Sequence, residues 1–121
     1  MTQSLEDYLE AICVLDREDG GAQVRDIARS LGVTMPSVVK AMRELVRLDL
    51  ARHVPYKPVT LTLKGRRVAR LVLRRHELLR EFLEKLGVSR PVADKDACLM
   101  EHILSAETLD RIRLYTEKNK K

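Results

Sequence analysis

The sequence predicts a mainly α-helical protein with one short β-hairpin, and three observations support this fold class. Apolar residues recur at helical spacing through most of the chain, and only two short runs favour strands. Hydrophobic residues make up 45% of the chain, which is enough to build a buried core. At 121 residues, the chain has room for one average domain or for two very small ones that share a core.

The first part of the chain predicts three helices in close succession. Apolar residues recur at helical spacing over residues 5–15, and a second, short helix covers residues 24–33. Gly32 ends this second helix, because glycine readily adopts the left-handed conformation of a helix C-terminus. Thr34 is placed to cap a third helix over residues 35–48.

Two β-prone runs follow the third predicted helix. Residues 51–54 and 59–62 flank the turn Pro55-Tyr56-Lys57-Pro58, which is long enough for a hairpin with a basic tip. A helix-turn-helix followed by a basic hairpin is typical of a winged helix. The sequence therefore predicts an N-terminal winged helix-turn-helix with a short β-hairpin wing, as a first domain of residues 1–65.

Helices dominate the second part of the chain as well. A long periodic segment follows Gly65 and stops at Gly87. Two shorter helices are expected at about residues 94–104 and from about Ala106. We therefore predict a long linking helix and a C-terminal helical domain, with the second domain covering residues 66–121.

The formal net charge of +5 hides a strong segregation of charge along the chain. Residues 1–21 hold one basic and six acidic side chains, residues 22–80 hold fourteen and four, and residues 81–121 hold eight of each. Such a basic block is the usual footprint of a partner with a phosphate backbone, although a solvated basic face has the same composition. Three tyrosines and one phenylalanine are too few for base stacking, so double-stranded DNA is favoured over RNA or single strands.

The same composition argues against several other classes of protein. No apolar run approaches the roughly 18 residues needed to span a bilayer, and the N-terminus does not have the pattern of a secretory signal. Two cysteines, Cys13 and Cys98, do not make a disulfide framework. We therefore expect a cytoplasmic protein with reduced thiols, with neither a membrane partner nor a small organic substrate.

The start of the third predicted helix is the candidate DNA-reading element. In a helix-turn-helix, the first residues of the second helix reach base edges in the major groove. Hydroxyl groups there can meet bases or phosphates, a lysine can reach guanine or phosphate, and a basic hairpin tip suits phosphate or the minor groove. Helix capping is the structural alternative for the hydroxyl groups. The candidate DNA-binding residues are Thr34, Pro36, Ser37, Lys40, Arg43, Arg47 and Lys57.

Cys98, Glu101 and His102 form a candidate metal site. Their i, i+3, i+4 spacing predicts that all three project from one face of a helix. A thiolate, a carboxylate and an imidazole together suit a divalent transition metal. Taken singly, such residues also have ordinary structural roles, such as packing or compensation of a helix dipole. Further candidates elsewhere in the chain are Asp7, Glu10 and His76.

Together, the order of elements and four sequence stretches resemble the metal-dependent repressors of the diphtheria toxin repressor type. The resemblance is closest to their shorter manganese transport regulator branch and covers residues 4–113. The stretches are Leu5-Glu6-Asp7-Tyr8-Leu9-Glu10, Leu61-Thr62-Leu63-Lys64-Gly65, Arg75-His76-Glu77-Leu78-Leu79 and Asp96-Ala97-Cys98-Leu99-Met100-Glu101-His102.

The resemblance implies a hybrid set of six metal ligands. Cys98 departs from the manganese branch, which has a carboxylate there, and agrees with the iron branch, which has a cysteine. Asp7, in contrast, is manganese-like, because the iron branch has methionine at that position. Arg80 replaces a carboxylate that both branches usually carry, which puts the ancillary site of the iron branch in doubt here. The implied ligands are Asp7, Glu10, His76, Cys98, Glu101 and His102.

The resemblance also implies a function. We expect a repressor that binds palindromic operator DNA as a dimer when loaded with Mn²⁺ or Fe²⁺, and that controls metal homeostasis genes. Mn²⁺ is slightly favoured over Fe²⁺, and Co²⁺ or Zn²⁺ can substitute. The second domain is then a dimerisation domain, and the extra C-terminal barrel of the iron branch is not expected. Candidate dimerisation residues, for which packing within the core is the alternative, are Leu99, Ile103, Leu104 and Leu109.

Two other functions are compatible with single features of the sequence. A winged-helix regulator could sense thiol oxidation at Cys98 or Cys13. A small metallohydrolase could use the segment from Cys98 to His102, which resembles the H-x-x-E-H pattern with cysteine in the first place. The hydrolase leaves the basic block unexplained, so we expect a regulator rather than an enzyme.

Overall fold

The computed structural model describes residues 3–16 and 20–119 and confirms the mainly helical prediction. Over the described residues, six helices and two short strands form two compact units, residues 1–71 and 72–121. The predicted domain boundary after Gly65 stays a prediction. The elements are α1 (Gln3–Leu15), α2 (Val24–Leu31), α3 (Met35–Arg47), β1 (Ala51–Arg52), β2 (Thr60–Leu61), α4 (Leu63–Lys85), α5 (Arg90–Met100) and α6 (Ala106–Lys118).

The first unit has a continuous apolar core built from α1, α2, α3 and the hairpin. The predicted apolar face of α1 is buried at Tyr8, Leu9 and Ile12. On α3 the buried face is narrower than the periodicity predicts, because Val46 is 44% exposed. The largest fully buried side chains of this core are Leu9, Ile12, Ile27, Val38, Met42, Leu45, Leu50 and Val59.

The turn between α2 and α3 has the predicted signals at both ends. Gly32 follows α2 with φ of 66°, a left-handed conformation that glycine adopts without a steric cost. Thr34 precedes α3 in an extended conformation, and its hydroxyl oxygen accepts a hydrogen bond from the Ser37 amide at 3.2 Å. These two residues fix where the second helix of the helix-turn-helix begins.

The wing is a short antiparallel hairpin, as predicted. Ala51 pairs with Leu61, and Arg52 pairs with Thr60. The structure adds an antiparallel bridge between Ala22 and Val59, with both backbone hydrogen bonds 2.8 Å long. The segment before α2 therefore extends the small sheet, which the sequence did not indicate.

α4 begins at Leu63, earlier than predicted, and Gly65 lies inside its first turn rather than before it. A Cβ atom at Gly65 would lie 1.9 Å from the Leu50 carbonyl oxygen, so the close approach of the two backbones requires glycine. The Thr62 hydroxyl caps the helix by accepting a hydrogen bond from the Gly65 amide, and it donates one to the Asp49 carbonyl. This glycine therefore allows close packing and does not interrupt the helix.

The second unit contains the rest of α4 with α5 and α6. Its buried apolar residues include Val72, Leu79, Ala93 and Ala97. Phe82 and Tyr115 meet edge to face, with 5.9 Å between their ring centroids. Within the long periodic segment that follows Gly65, two apolar residues are largely exposed, Leu71 at 58% and Leu86 at 60%.

The helix predicted at about residues 94–104 is displaced towards the N-terminus. α5 starts at Arg90, with Ser89 as its N-cap and Pro91 in its first turn, where proline leaves no hydrogen bond unmade. It ends at Met100, and residues 101–104 form a turn before α6. No helix of the described residues is long and apolar enough to cross a membrane.

Candidate metal centre and nucleic-acid interface

Three predicted ligands converge within the second unit. α4 contributes His76, α5 contributes Cys98, and Glu101 lies directly after α5. One donor atom from each of these residues lies within 4.8 Å of the others. A nitrogen, a sulfur and a carboxylate oxygen at this separation can all reach a single divalent ion.

Glu101 is the centre of this cluster. Its side chain is fully buried, and its two carboxylate oxygens face two imidazoles. Oε2 lies 3.3 Å from His76 Nδ1, and Oε1 lies 3.2 Å from His102 Nε2. A buried carboxylate between two imidazoles is costly to maintain unless cations or hydrogen-bond donors compensate it.

His76 has a second partner that the sequence reasoning missed. Its Nε2 lies 2.6 Å from Oδ1 of Asp94, which is on the first half of α5. Asp94 precedes Cys98 by one helical turn, so both face the same side of α5. Asp94 could have been predicted from the sequence, because an acidic residue four positions before the candidate ligand Cys98 lies on the same helix face.

The predicted arrangement of Cys98, Glu101 and His102 on one helix face needs correction. Only Cys98 is within α5, which ends at Met100. Glu101 is the C-cap residue and keeps right-handed helical dihedral angles, so its side chain still follows the face that carries Cys98. His102 lies in the turn, and its ring contacts Glu101.

Asp7 and Glu10 lie on α1, in the first unit, separated by one turn of helix. Glu10 Oε2 is buried and has no hydrogen-bond partner among the described residues. A buried carboxylate oxygen without a donor is unfavourable by itself, so this group fits a role as a cation ligand.

At Arg80 the guanidinium Nη1 binds Glu84 Oε1 at 3.1 Å, which agrees with the doubt about an ancillary metal site.

The predicted DNA-binding residues all lie on the surface. They lie on the exposed side of α3, from its N-cap to its last residue, and at the tip of the wing: Thr34, Pro36, Ser37, Lys40, Arg43, Arg47 and Lys57. The hydroxyl oxygens of Thr34 and Ser37 are 2.8 Å apart, so both hydroxyls already take part in the helix cap. Lys40 and Arg43 are exposed basic groups on the same helix.

Arg47 differs from the other basic residues because it is bound on its own helix. It makes two hydrogen bonds with the Glu44 carboxylate, one of them from Nε at 3.0 Å. The side-chain hydrogen bond lowers the pKa of Glu44 and raises that of Arg47. A phosphate contact by Arg47 would have to share or replace this pair.

A groove between α3 and the wing contains residues that the sequence reasoning did not select. It is lined by the apolar side chains of Met35 and Val39 and by His53, Tyr56 and other wing residues. Tyr56 is fully exposed at the wing tip and has φ of 65°, which is unfavourable for an aromatic residue. A bulky ring in a Pro-x-Lys-Pro turn is the signal that could have selected it.

Comparison with known sequences assigns both parts of the chain to one family. Residues 1–59 match the family model "Iron dependent repressor, N-terminal DNA binding domain". Residues 62–121 match "Iron dependent repressor, metal binding and dimerisation domain". The chain belongs to the iron-dependent repressor family.

Relatives and solved structures agree with this family. The transcriptional regulator MntR of Escherichia coli O157:H7 is 42% identical over 115 residues, which cover 95% of this chain and 74% of that protein. An uncharacterized HTH-type transcriptional regulator of Methanocaldococcus jannaschii is 36% identical and is covered over 98% of its length. A manganese-dependent transcriptional repressor in complex with manganese has a TM-score of 0.84 and 30% identity over 93% of this chain. The chain spans about half of that structure, 52% of its length.

Family membership confirms the predicted class of function. The chain is a metal-dependent, DNA-binding transcriptional regulator with a dimerisation domain, and it is not an enzyme. The metallohydrolase interpretation of the segment from Cys98 to His102 is therefore wrong. Two of the predicted dimerisation residues are largely exposed, Leu99 at 55% and Ile103 at 74%, whereas Leu104 and Leu109 are partly buried.

Proposed function

We propose that this regulator is a dimeric repressor that binds palindromic operator DNA when loaded with a divalent transition metal, and that it controls metal homeostasis genes. The convergence of His76, Cys98 and Glu101 within a domain of the iron-dependent repressor family is the observation that carries this proposal. It explains why a carboxylate is buried between two imidazoles, because a cation would compensate its charge.

The proposed ligand set contains six residues. The assignment of Glu10 as a ligand is supported by its buried carboxylate oxygen. The assignment of Asp7, also on α1, rests on the sequence resemblance. A bound cation would supply positive charge that offsets the repulsion among these carboxylates. Because α1 belongs to the unit that carries α3, metal and DNA are then linked ligands, and each raises affinity for the other. The set is Asp7, Glu10, His76, Cys98, Glu101 and His102.

Mn²⁺ is the proposed physiological metal, with Fe²⁺ as the second choice. Three carboxylates, at Asp7, Glu10 and Glu101, provide the oxygen ligands that Mn²⁺ prefers. The Cys98 thiolate is a soft donor and raises the relative affinity for Fe²⁺, Co²⁺ and Zn²⁺. We therefore expect Mn²⁺ to activate the protein, with Co²⁺ and Zn²⁺ able to substitute. The preference for Mn²⁺ over these ions should be smaller than at a site that has only oxygen and nitrogen ligands.

DNA contacts are assigned to the exposed side of α3 and to the wing. We propose that Ser37 reaches base edges in the major groove and that Lys40 contacts a phosphate beside it, with Thr34 and Pro36 fixing the start of the helix. The guanidinium groups of Arg43 and Arg47 are assigned to phosphates. Lys57, with the exposed Tyr56 beside it, is assigned to phosphate or to the minor groove.

The dimer surface is assigned to the exposed apolar residues after the middle of α5. Leu99 and Ile103 form its centre, and the partly buried Leu104 and Leu109 lie at its edge. Two winged helix-turn-helix domains related by a two-fold axis match two inverted half-sites, so the operator is expected to be palindromic.

The test is binding to duplex DNA followed by fluorescence anisotropy. A labelled duplex, selected from a random library in the presence of Mn²⁺, is titrated with the protein and Mn²⁺, Fe²⁺, Co²⁺, Zn²⁺ or a chelator. We expect tight binding only in the presence of metal, at a stoichiometry of two protomers per palindrome. Equal affinity with metal and with chelator would contradict the proposal.

His76→Ala is the first variant for this assay, with Glu77→Ala as its control on the same helix. Both positions are on α4, but Glu77 is exposed and is not among the proposed ligands. We expect His76→Ala to require roughly 10–100 times more metal for activation, a loss typical of changes at or beside a metal ligand. Identical metal dependence of the two variants would exclude His76 from the site.

A further inference from the structure

Asp94 contacts the proposed metal centre without belonging to the proposed ligand set. It is an exposed residue of α5, 60% accessible at its side chain, yet its Oδ1 lies 2.6 Å from Nε2 of the largely buried His76. On the other side of the same ring, Nδ1 is buried, makes no hydrogen bond among the described residues and lies 3.3 Å from Glu101 Oε2. The two ring nitrogens of His76 therefore face two different carboxylates.

We propose that Asp94 is a positioning residue that holds His76 in the tautomer required for metal binding. A neutral imidazole carries one N–H, and a carboxylate can only accept a hydrogen bond. The short contact places that hydrogen on Nε2, where it is donated to Asp94. The lone pair is then on Nδ1, which lies 3.3 Å from Oε2 of Glu101.

This inference rests on the proposed function, because it assigns Nδ1 as the metal-binding atom. Imidazoles that bind metals usually donate their other N–H to a carboxylate or carbonyl, which orients the ring and increases its basicity. Asp94 is suited to this role because it precedes Cys98 by one turn of α5, so a single helix supplies both a ligand and its support. Its own exposure leaves the carboxylate hydrated and spares the cost of a second buried charge.

The test combines a tautomer measurement without metal and a Co²⁺ titration. Imidazole nitrogen chemical shifts of ¹⁵N-histidine-labelled, metal-free protein are recorded for the wild type, Asp94→Ala, Asp94→Asn and the control Asp96→Ala. In the wild type we expect neutral His76 to be protonated at Nε2. Asp94→Ala is expected to mix the two tautomers, whereas Asp94→Asn retains an acceptor and keeps the Nε2–H form.

The Co²⁺ titration then measures the consequence for binding, using the thiolate-to-cobalt absorption band of Cys98. Asp94→Ala should bind roughly 10–100-fold more weakly, with Asp94→Asn between it and the wild type and Asp96→Ala unchanged. At saturation the spectra of all variants should coincide. A spectrum that changes shape in Asp94→Ala would overturn the proposal by making Asp94 a direct ligand.

Failure of this inference is distinguishable from failure of the proposed function. A wild-type His76 protonated at Nδ1 would overturn the role of Asp94 while Co²⁺ binding persists. Absence of Co²⁺ binding by the wild type would overturn the metal site itself, whatever the tautomer is.

Discussion

At the scale of single residues, Cys98 is the proposed ligand that we expect to affect the choice of metal most. It lies on α5, partly exposed, and its sulfur shares a cluster with an imidazole nitrogen and a carboxylate oxygen. Thiolates favour softer ions, whereas carboxylates favour Mn²⁺. We therefore expect this one side chain to set the balance between Mn²⁺ and the softer metals.

Cys98→Glu is expected to change metal preference without abolishing metal-dependent DNA binding. Replacing sulfur by oxygen should favour Mn²⁺ over Zn²⁺. We expect the ratio of the half-activating Mn²⁺ concentration to the half-activating Zn²⁺ concentration to fall by about tenfold, equivalent to about 1.4 kcal/mol. The measurement is half-activation by each metal in the anisotropy assay, with Cys13→Ser as the matched control. A variant that loses all response would instead support sensing of thiol oxidation at Cys98.

Lys40→Ala is expected to weaken DNA binding to the same extent with every metal. Lys40 is exposed on α3, in the first unit, and is not among the proposed metal ligands. Loss of one phosphate contact reduces affinity by about fivefold at 0.15 M salt and lowers the slope of log K against log salt by about one. Lys95→Ala, an exposed lysine of α5, is the control. If Lys40→Ala instead loses the ability to discriminate at a single base pair of the selected duplex, and its salt slope is unchanged, then Lys40 is a base-reading residue.

At the scale of elements, the join between the wing and α4 depends on one glycine. The Gly65 backbone approaches the Leu50 carbonyl so closely that no larger residue fits, and Thr62 caps the helix at the same point. This contact fixes the first turn of α4 to the segment that enters β1. The orientation of that turn within the first unit is therefore set by backbone contacts.

Gly65→Ala is expected to destabilise the first unit by about 2 kcal/mol, because the added Cβ would force the two backbones apart. The measurement is the midpoint of urea-induced unfolding followed by circular dichroism. Gly20→Ala is the control, since a Cβ there meets no atom within 4 Å. Equal midpoints for the two variants would show that the Leu50–Gly65 approach can relax at no cost.

At the level of the complete protein, the proposed function requires two copies of the chain. The family domain at residues 62–121 is a dimerisation domain, and the exposed apolar residues of the second unit are the surface available for pairing. Ile103 is the most exposed of the four predicted dimerisation residues, at 74%. Two DNA-binding domains in one dimer would double the number of phosphate contacts per operator, so dimerisation and DNA affinity would be coupled.

Ile103→Glu is therefore expected to weaken the dimer. Loss of about 2 kcal/mol of apolar burial corresponds to roughly a thirtyfold rise in the dimer dissociation constant, before any cost of burying the new charge. Sedimentation velocity measures the dimer, and anisotropy measures the accompanying loss of operator affinity. Leu63→Glu, at an exposed position of the first unit, is the control and should leave the dimer intact. An unchanged dimer in Ile103→Glu would place the interface elsewhere on the second unit.

The order of helices, the winged helix-turn-helix and the residue types of the candidate metal site can all be predicted from the sequence alone. These follow from local patterns: apolar spacing predicts α1 and α3, Gly32 and Thr34 mark the turn between α2 and α3, and the basic turn at Lys57 marks the wing. Such signals depend on residues a few positions apart, where backbone preference and side-chain spacing are decisive.

Features that depend on residues far apart in the chain are visible only in the folded protein. The bridge between Ala22 and Val59 and the contact of His76 with Asp94 join segments whose local patterns carry no information about each other. Gly65 is unfavourable in a helix by local preference, yet it lies within α4, where the Leu50 backbone occupies the space that a side chain would need. Packing between distant segments overrides local preference at these points, and it also orients the two nitrogens of His76 towards different carboxylates.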